Sequence, residues 1–374
     1  MAPVAIAFAV LAHGSASDVG YVLAAGTVPL VILLLVGGVV GDRISRRKLM
    51  LQSDALRTIA ECALGIWVLL GNPPLRGFMV LAALMGVGEA FFSPALTGIV
   101  PQMLSEKKLQ QGNALNGISN STGRIIGPAI AGVIVAITSP GWAILIDGLT
   151  YFVSVVSLAF IRIEWIASDE PEPFITLLRQ GWKEFWSRSW LWAVVIQSSF
   201  VNALFASFLV LGPVVAKQSL GGASAWGAIL AAEGAGAVLG GVIMLRVHPR
   251  RPLLIATLSS LVFPLPLFFI ATRSPTALIA MFGFLAGGFI TVFSVQWTTT
   301  LQREVPANVL SRVSAYDWFG SLVFLPIGMA LVGPLASRIG ITTTLVGSGV
   351  LMMLLILAVL AVPSVSRLQA PARS

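Results

Sequence analysis

Gly38-Val39-Val40-Gly41-Asp42-Arg43-Ile44-Ser45-Arg46-Arg47-Lys48-Leu49-Met50 packs four cations and one acid into a single short turn, with a nearly uncharged apolar run on either side. Each flanking run is long enough to cross a bilayer, which takes about 20 apolar residues. A turn holding Arg43, Arg46, Arg47 and Lys48 is not readily drawn through a membrane, so it marks the cytoplasmic side. The rest of the chain agrees: 57% of its 374 residues are hydrophobic and 10% are charged, against about 25% charged in globular chains. Composition therefore predicts an all-α integral membrane protein.

Working outward from the turn, apolar spans are expected near 19–40, 49–70, 77–99, 118–137 and 142–163. They resume near 189–213, 224–246, 253–272, 276–299, 314–335 and 341–362. With the basic turn inside, 17 of the 23 Lys and Arg residues fall on its side, 4 fall in the opposite loops, and Arg57 and Arg124 lie within spans. This asymmetry predicts a multi-pass protein of the cell membrane with a cytoplasmic C-terminus.

Residues 164–188 divide the chain. An acidic, Pro-containing stretch leads into Phe174–Trp186, where Phe174, Leu177, Leu178, Trp182, Phe185 and Trp186 share one helical stripe. That pattern suits a helix lying in the inner interface. The expected organisation is an N-terminal helical half over 1–163, a linker over 164–188, a C-terminal half over 189–362 and a tail over 363–374. The halves repeat weakly at an offset of 201 residues, which aligns Gly86 with Gly287, Leu109 with Leu310, Gly127 with Gly328 and Gly132 with Gly333. Duplicated halves are common in transporters. The basic turn recurs in degenerate form over 241–251, with Leu245 where the acid would stand.

Ahead of the eleven full spans, residues 3–12 form only a stub. As a helix, Ala2 to Ala12 would reach about 16 Å at 1.5 Å per residue, against a hydrocarbon core of about 30 Å. The first helix is therefore expected to be truncated, with the true start upstream of Met1.

Several function classes are not expected. The net charge of +8 sits in short loops, without the basic, aromatic-interleaved surface that binds nucleic acid. Cys62 is the one cysteine and lies in an apolar run, and His13 and His248 are far apart, so neither a disulfide framework nor a metal site is expected. No His-Glu-x-x-His, Gly-x-Ser-x-Gly or phosphate-loop pattern occurs, so neither an enzyme nor a cofactor is expected. Gly234-Ala235-Gly236 lies mid-span and reads, with Gly240, as small-residue helix packing.

Charges within spans cost roughly 2.5–3.5 kcal/mol each on insertion scales, so each needs a reason. Asp54, Arg57 and Glu61 are spaced three and four apart and share one helical face. Asp54 and Arg57 are expected to tie the basic turn in place. Glu61 is either the partner of Arg57 or a titrating group. Glu89 and Glu233 lie mid-span with no cation within a helical turn of sequence. Each is either a proton carrier in a low-dielectric cavity or a neutral acid locking two helices. Asp147 and Asp317, near span ends, are expected to cap or to be solvated.

The basic turn resembles the loop between helices two and three of the major facilitator superfamily, Gly-x-Leu-Ala-Asp-Arg-x-Gly-Arg-Lys. Gly38, Asp42, Arg43 and Arg46 match, Arg47 keeps the charge of the Lys, and Ser45 replaces the second Gly. Gly123-Arg124-Ile125-Ile126-Gly127-Pro128-Ala129-Ile130-Ala131-Gly132 resembles the antiporter motif of the superfamily's exporters, Gly-x-x-x-Gly-Pro-x-x-Gly-Gly, with Ala131 for one Gly. Small residues there let a neighbouring backbone approach, and Pro128 bends the helix. Arg124 is a candidate to face the cavity. Drug–proton antiporters of the superfamily often carry an Arg four residues before a Gly-x-Gly; here Ala82 precedes Gly86-Val87-Gly88, so that coupling residue is not carried over. Gly14-Ser15, Pro94, Asn113-Ala114 and Gln302 to Pro306 look similar to the bacterial branch holding macrolide-efflux proteins and the enterobactin exporter.

The resemblance implies a major facilitator fold of two six-helix halves rocking about a central cavity. It implies a secondary transporter, working as a monomer, that exports a small amphipathic molecule such as a drug, antibiotic or siderophore, with protons as the coupling ion. An importer of the same fold and a non-transporting sensor are the alternatives. Glu61, Glu89, Arg124 and Glu233 are the candidate proton and substrate residues.

Overall fold

The computed structural model describes residues 1–43, 45–71, 73–103, 106–161, 174–247 and 249–369, which contain helices and no strand. The short α1 (Ala2–His13) precedes α2 (Ala16–Arg43), α3 (Arg46–Leu70), α4 (Leu75–Met103), α5 (Glu106–Ile137) and α6 (Pro140–Phe160). Next come α7 (Phe174–Trp186) and α8 (Ser189–Val215), which continues into one π-helical turn over Ala216–Leu220. The remainder is α9 (Ala223–Met244), α10 (Pro252–Ser259), α11 (Leu265–Ala271), α12 (Thr276–Glu304), α13 (Ala307–Leu322), α14 (Leu325–Ile339), α15 (Ile341–Val359) and the short α16 (Pro363–Ser366).

Among the described residues, nine segments are long and apolar enough to cross a membrane. Two of the eleven expected spans fall outside that nine for identifiable reasons. α3 has 25 residues, roughly 38 Å of helix, but its basic start and its internal Asp54, Arg57 and Glu61 lower its hydropathy. The described apolar part of α5, Ile125–Ile137, is short. Two other spans are broken helices, which the apolar pattern did not reveal. Pro264 and Pro266 have no N–H to give to Ser260 and Val262, and a 3-10 turn, Ser260–Val262, separates α10 from α11. Pro326 likewise cannot donate to Leu322, where α13 ends and α14 soon begins.

The outward faces are apolar. Leu70, Phe160, Ile137 and Leu245 are 75–83% exposed. In water such a surface would drive association, whereas in lipid it has nothing to escape. Helices therefore meet through close backbone packing, and small residues mark the crossings. A Cβ added at Gly86 of α4 would lie 1.9 Å from the carbonyl oxygen of Gly26 on α2, and one at Gly287 of α12 would lie 1.9 Å from that of Glu233 on α9. Gly236 and Gly240 meet α12 in the same way, against the carbonyls of Phe284 and Gly288, as their spacing predicts.

The offset of 201 residues thus recurs as geometry. It recurs again where α5 crosses α9 and α14 crosses α2. A Cβ at Gly227 would lie 2.5 Å from the carbonyl oxygen of Pro128, and one at Gly20 would lie 2.1 Å from that of Met329. Pro128 and Met329 are 201 residues apart, as are Gly132 and Gly333, which press on Ala223 and on Ala16–Ser17 respectively. The partner glycines Gly20 and Gly227 are 207 apart, so the second copy is six residues shorter than the first between these helices.

α7 packs on α13. The Trp182 and Phe185 rings lie 5.4 and 6.1 Å from that of Tyr316, Arg312 donates to Gln180, and a Cβ at Gly181 would sit 2.8 Å from Arg312 Cβ. The aromatic stripe read from the sequence is thus divided between α13 and the exterior, while the side chains of Phe174, Leu177 and Leu178 lie outside the described residues.

Candidate functional site

α3 brings Asp54, Arg57 and Glu61 onto one face, and α4 and α6 supply what that face meets. Arg57 is the centre. Its Nη2 lies 2.6 Å from Glu89 Oε2, its Nη1 lies 3.6 Å from Asp54 Oδ1, and it donates to the Tyr151 hydroxyl. The guanidinium carbon also sits 4.0 Å from the Tyr151 ring centroid, a cation–π arrangement that suits Arg in a dry setting. The remaining acid oxygens are held locally: Ser154 donates to Asp54 Oδ2 at 2.5 Å, and Ser93 to Glu89 Oε1 at 2.7 Å.

Gly88 explains how the pair forms. A Cβ there would fall 2.5 Å from Arg57 Cγ, so the missing side chain makes room for the arginine stem. In Gly86-Val87-Gly88, one glycine admits a backbone and the other admits Arg57.

Burial separates the three acids. Asp54 is 1% exposed and Glu61 3%, while the Glu89 side chain is 39% exposed. Glu61 Oε2 has no hydrogen-bond partner among the described residues. Asp147 of α6 accepts the Ala2 amide at 2.6 Å. Arg57, Glu61, Glu89, Asp147 and Tyr151 all line one cavity of about 320 Å³, closed on its apolar side by α1, α2 and α4. A second cavity, about 440 Å³, is lined by Glu233 and Gly234 of α9 with Gly123 and Pro128 of α5, and Met1 and Pro3 border both.

Several expectations need correction. Glu89 lacks a cation in its own sequence neighbourhood but has one across the helix interface, Arg57. Glu61 is not the partner of Arg57, which is held by Glu89, Asp54 and Tyr151. Asp54 faces Ser154 and Arg57 and does not reach the basic turn. That turn is anchored by Arg47, whose Nε and Nη2 donate to the carbonyls of Leu158 and Ala159 at 3.0 and 2.7 Å. These are among the last carbonyls of α6, where a cation also meets the negative end of the helix dipole. Asp317 does not cap: it lies well inside α13, 8% exposed, and accepts the Trp297 indole N–H at 2.9 Å, whereas Asp147 accepts the first amide of α1 and none of its own helix.

The remaining candidates divide. Gly127, Pro128 and Gly132 lie on the α5 face toward α9 and α1, whereas Gly123 has open space around it. Arg46 is described, but the side chains of Gly38, Asp42, Arg43 and Arg124 lie outside the described residues. Sequence reading missed Tyr151 and Ser154. The signal was present: Asp147, Tyr151 and Ser154 follow a four-then-three spacing, one polar stripe on an otherwise apolar helix facing the stripe on α3.

Replacing Arg47 with alanine is expected to remove both carbonyl bonds and cost about 1.5 kcal/mol, the lower end for hydrogen bonds that involve a charged group. Thermal unfolding of purified protein in detergent checks this. A midpoint equal to that of the parent chain would mean the turn is not anchored here.

A family model described as transmembrane secretion effector matches residues 1–372. The chain is 26% identical over 371 residues to the multidrug efflux pump Tap of Mycolicibacterium fortuitum, covering 94% of this chain and 89% of that one. It is 24% identical to macrolide efflux protein A of Streptococcus pyogenes, over 90% and 85% of the two chains. With the enterobactin exporter EntS of Salmonella typhimurium the identity is 25%, over 81% and 73%. Among solved structures, the nucleoside transporter NupG superposes with a TM-score of 0.73 at 12% identity, covering 96% of this chain and 93% of that one. A POT family transporter bound to a thioalcohol-conjugated peptide gives 0.73 at 14%, covering 93% and 88%. These last two share the fold.

Proposed function

Because the chain belongs to the transmembrane secretion effector family of major facilitator transporters, we propose that it exports a small amphipathic molecule by alternating access and couples that export to protons. The observation that carries the reading is the Arg57–Glu89 ion pair on the wall of an apolar-lined cavity. Charges are too costly inside a membrane to persist without a task, and a more exposed acid beside a largely covered arginine is suited to binding a polar group from the cavity.

The two halves, 1–163 and 189–362, are the moving bodies. Their contacts support this: α2 meets α14 near Gly20 and Gly333, and α5 meets α9 near Gly132 and Gly227. Both crossings use the start of α2 or α9, far along α2 from the basic turn. By the charge asymmetry that end is external, so this arrangement is the one closed outside. The C-terminus lies in the cytoplasm, and one chain suffices for transport.

Expression of the chain in an efflux-deficient bacterium is expected to raise resistance to a macrolide or a dye several-fold. It should also drive uptake of the same compound into inverted vesicles when an inside-acid pH gradient is imposed. No flux of any compound in a broad panel would end the exporter reading. In the same assay Asp42→Asn, in the superfamily-like turn, is expected to cut transport strongly with membrane levels maintained; unchanged flux would remove Asp42 from the gate.

A further inference from the structure

We propose that Arg57 is a switching counter-ion and Glu61 the proton site it controls, so that a cationic substrate docking on Glu89 expels one proton from Glu61. The inference rests on the exporter reading and adds a substrate class and a coupling route. Arg57 has three carboxylates within reach: Asp54 and Glu61 on its own helix face, and Glu89 across the interface. It is engaged with Glu89 and Asp54, while Glu61, 3% exposed, keeps one oxygen without a hydrogen bond among the described residues. An anion so buried and so poorly satisfied is prohibitively costly, so Glu61 is the neutral acid while Arg57 stays on Glu89.

A cation entering the cavity meets Glu89 first, because Glu89 is 39% exposed and its two rivals are sealed. Docking there competes with the guanidinium. The arm that leaves Glu89 then turns to Glu61, four residues on, the spacing at which helical side chains meet, while Asp54 keeps the other arm. A guanidinium at that position stabilises the carboxylate, and the Glu61 O–H bond breaks, releasing its proton to cavity water. One positive charge has entered and one has left, so the charge of the site is conserved. No other bond changes.

The groups facing Glu61 are consistent with this assignment. Asp147 and Tyr151 face it from α6, Arg57 and Cys62 are its neighbours on α3, and Glu89 stands on α4. Asp147 is already held by the Ala2 amide at 2.6 Å and by the Met1 amino group at 3.3 Å. Tyr151 is taken by Arg57. The Met1 amino group is a further cation beside Glu61, and Asp147 holds it.

The test uses the full chain in lipid nanodiscs, with ethidium as the cationic probe. Infrared difference spectra follow the carbonyl stretch of a protonated carboxylic acid, a pH-indicator dye follows proton release, and ethidium fluorescence follows binding in the same samples. The parent chain is expected to lose the acid band and release protons as ethidium binds. Glu61→Gln is expected to lack both signals per bound ethidium. Glu89→Gln keeps Glu61 but frees Arg57 to move, so it is expected to lack the acid band before any ethidium is added. That result would not follow from a merely structural Glu61.

The proposal is overturned if the band survives ethidium binding in the parent chain, or if it persists in Glu89→Gln. It is also overturned if the parent binds no ethidium but exports uncharged members of the panel, which leaves the exporter reading intact. Absence of all transport strikes the exporter reading itself.

Discussion

Gly287→Val is expected to destabilise the protein by about 3 kcal/mol, the upper range for overpacking a tight contact, and to remove most of the folded material from detergent extracts. The added Cβ would fall 1.9 Å from the carbonyl oxygen of Glu233. That obstacle is backbone inside a helix and cannot rotate aside as a side chain could. Nor can the helices part locally, because Gly236 and Gly240 hold α9 to α12 on either side of the same crossing. Gly86→Val in α4 should behave alike, since its Cβ would stand 1.9 Å from the Gly26 carbonyl oxygen. Gly241→Val, on the same helix as Gly236 but with Thr291 Cγ2 at 3.8 Å as its nearest neighbour, is the comparison. Monodisperse yield and thermal midpoint on size-exclusion chromatography read the effect. Equal stability of the Gly287 and Gly241 variants would mean that close backbone contact does not hold this bundle together.

Those glycines also explain how much was legible beforehand. Where two backbones meet, only a small residue fits, so the crossing is written locally in each helix, and a repeat of 201 residues could be read without knowing what touches what. The basic turn was legible for a similar reason, since its charge opposes translocation whatever the fold. Ion pairing is different. Arg57 could reach Asp54 or Glu61 on its own helix, and nothing in α3 chooses between them. Glu89 is chosen by the height of α4, which the Gly86–Gly26 contact sets, and by the space left at Gly88.

Span ends were the other failure. α13 starts at Ala307 and α6 at Pro140, earlier than hydropathy suggested for the former. Asp317 and Asp147 therefore lie turns inside their helices, where an acid needs a side-chain or cross-helix donor. The breaks before α11 and α14 were missed because hydropathy does not register where a proline deletes a donor, and Pro29, Pro128, Pro213 and Pro334 sit inside unbroken helices.

The double substitution Gly20→Ala with Gly227→Ala is expected to trap the transporter away from the arrangement described here, without unfolding it. The two added methyls would lie 2.1 Å from the Met329 carbonyl oxygen and 2.5 Å from that of Pro128, where ordinary contact begins at 3.4 Å. α2 and α14, and α9 and α5, must then separate by roughly 1 Å or more, since close-packed backbones do not compress. Unlike the crossing at Gly287, these join elements that we propose to move apart during transport, so the strain is relieved by opening and not by unfolding. Every 1.4 kcal/mol of bias changes the ratio of states about tenfold, and two such clashes should move most molecules to the outward-open form.

Spin labels on His13→Cys and Ser337→Cys, both exposed and at the end we propose to be external, in a Cys62→Ser background, report the separation directly. The distance distribution is expected to shift to longer values in the double variant, and transport to fall by at least the loss of the closed population. Gly347→Ala, which meets nothing within 4 Å, should leave the distribution unchanged. A double variant with the parent's distances and the parent's flux would show that closure does not run through Gly20 and Gly227, and would leave the two matched crossings as static packing.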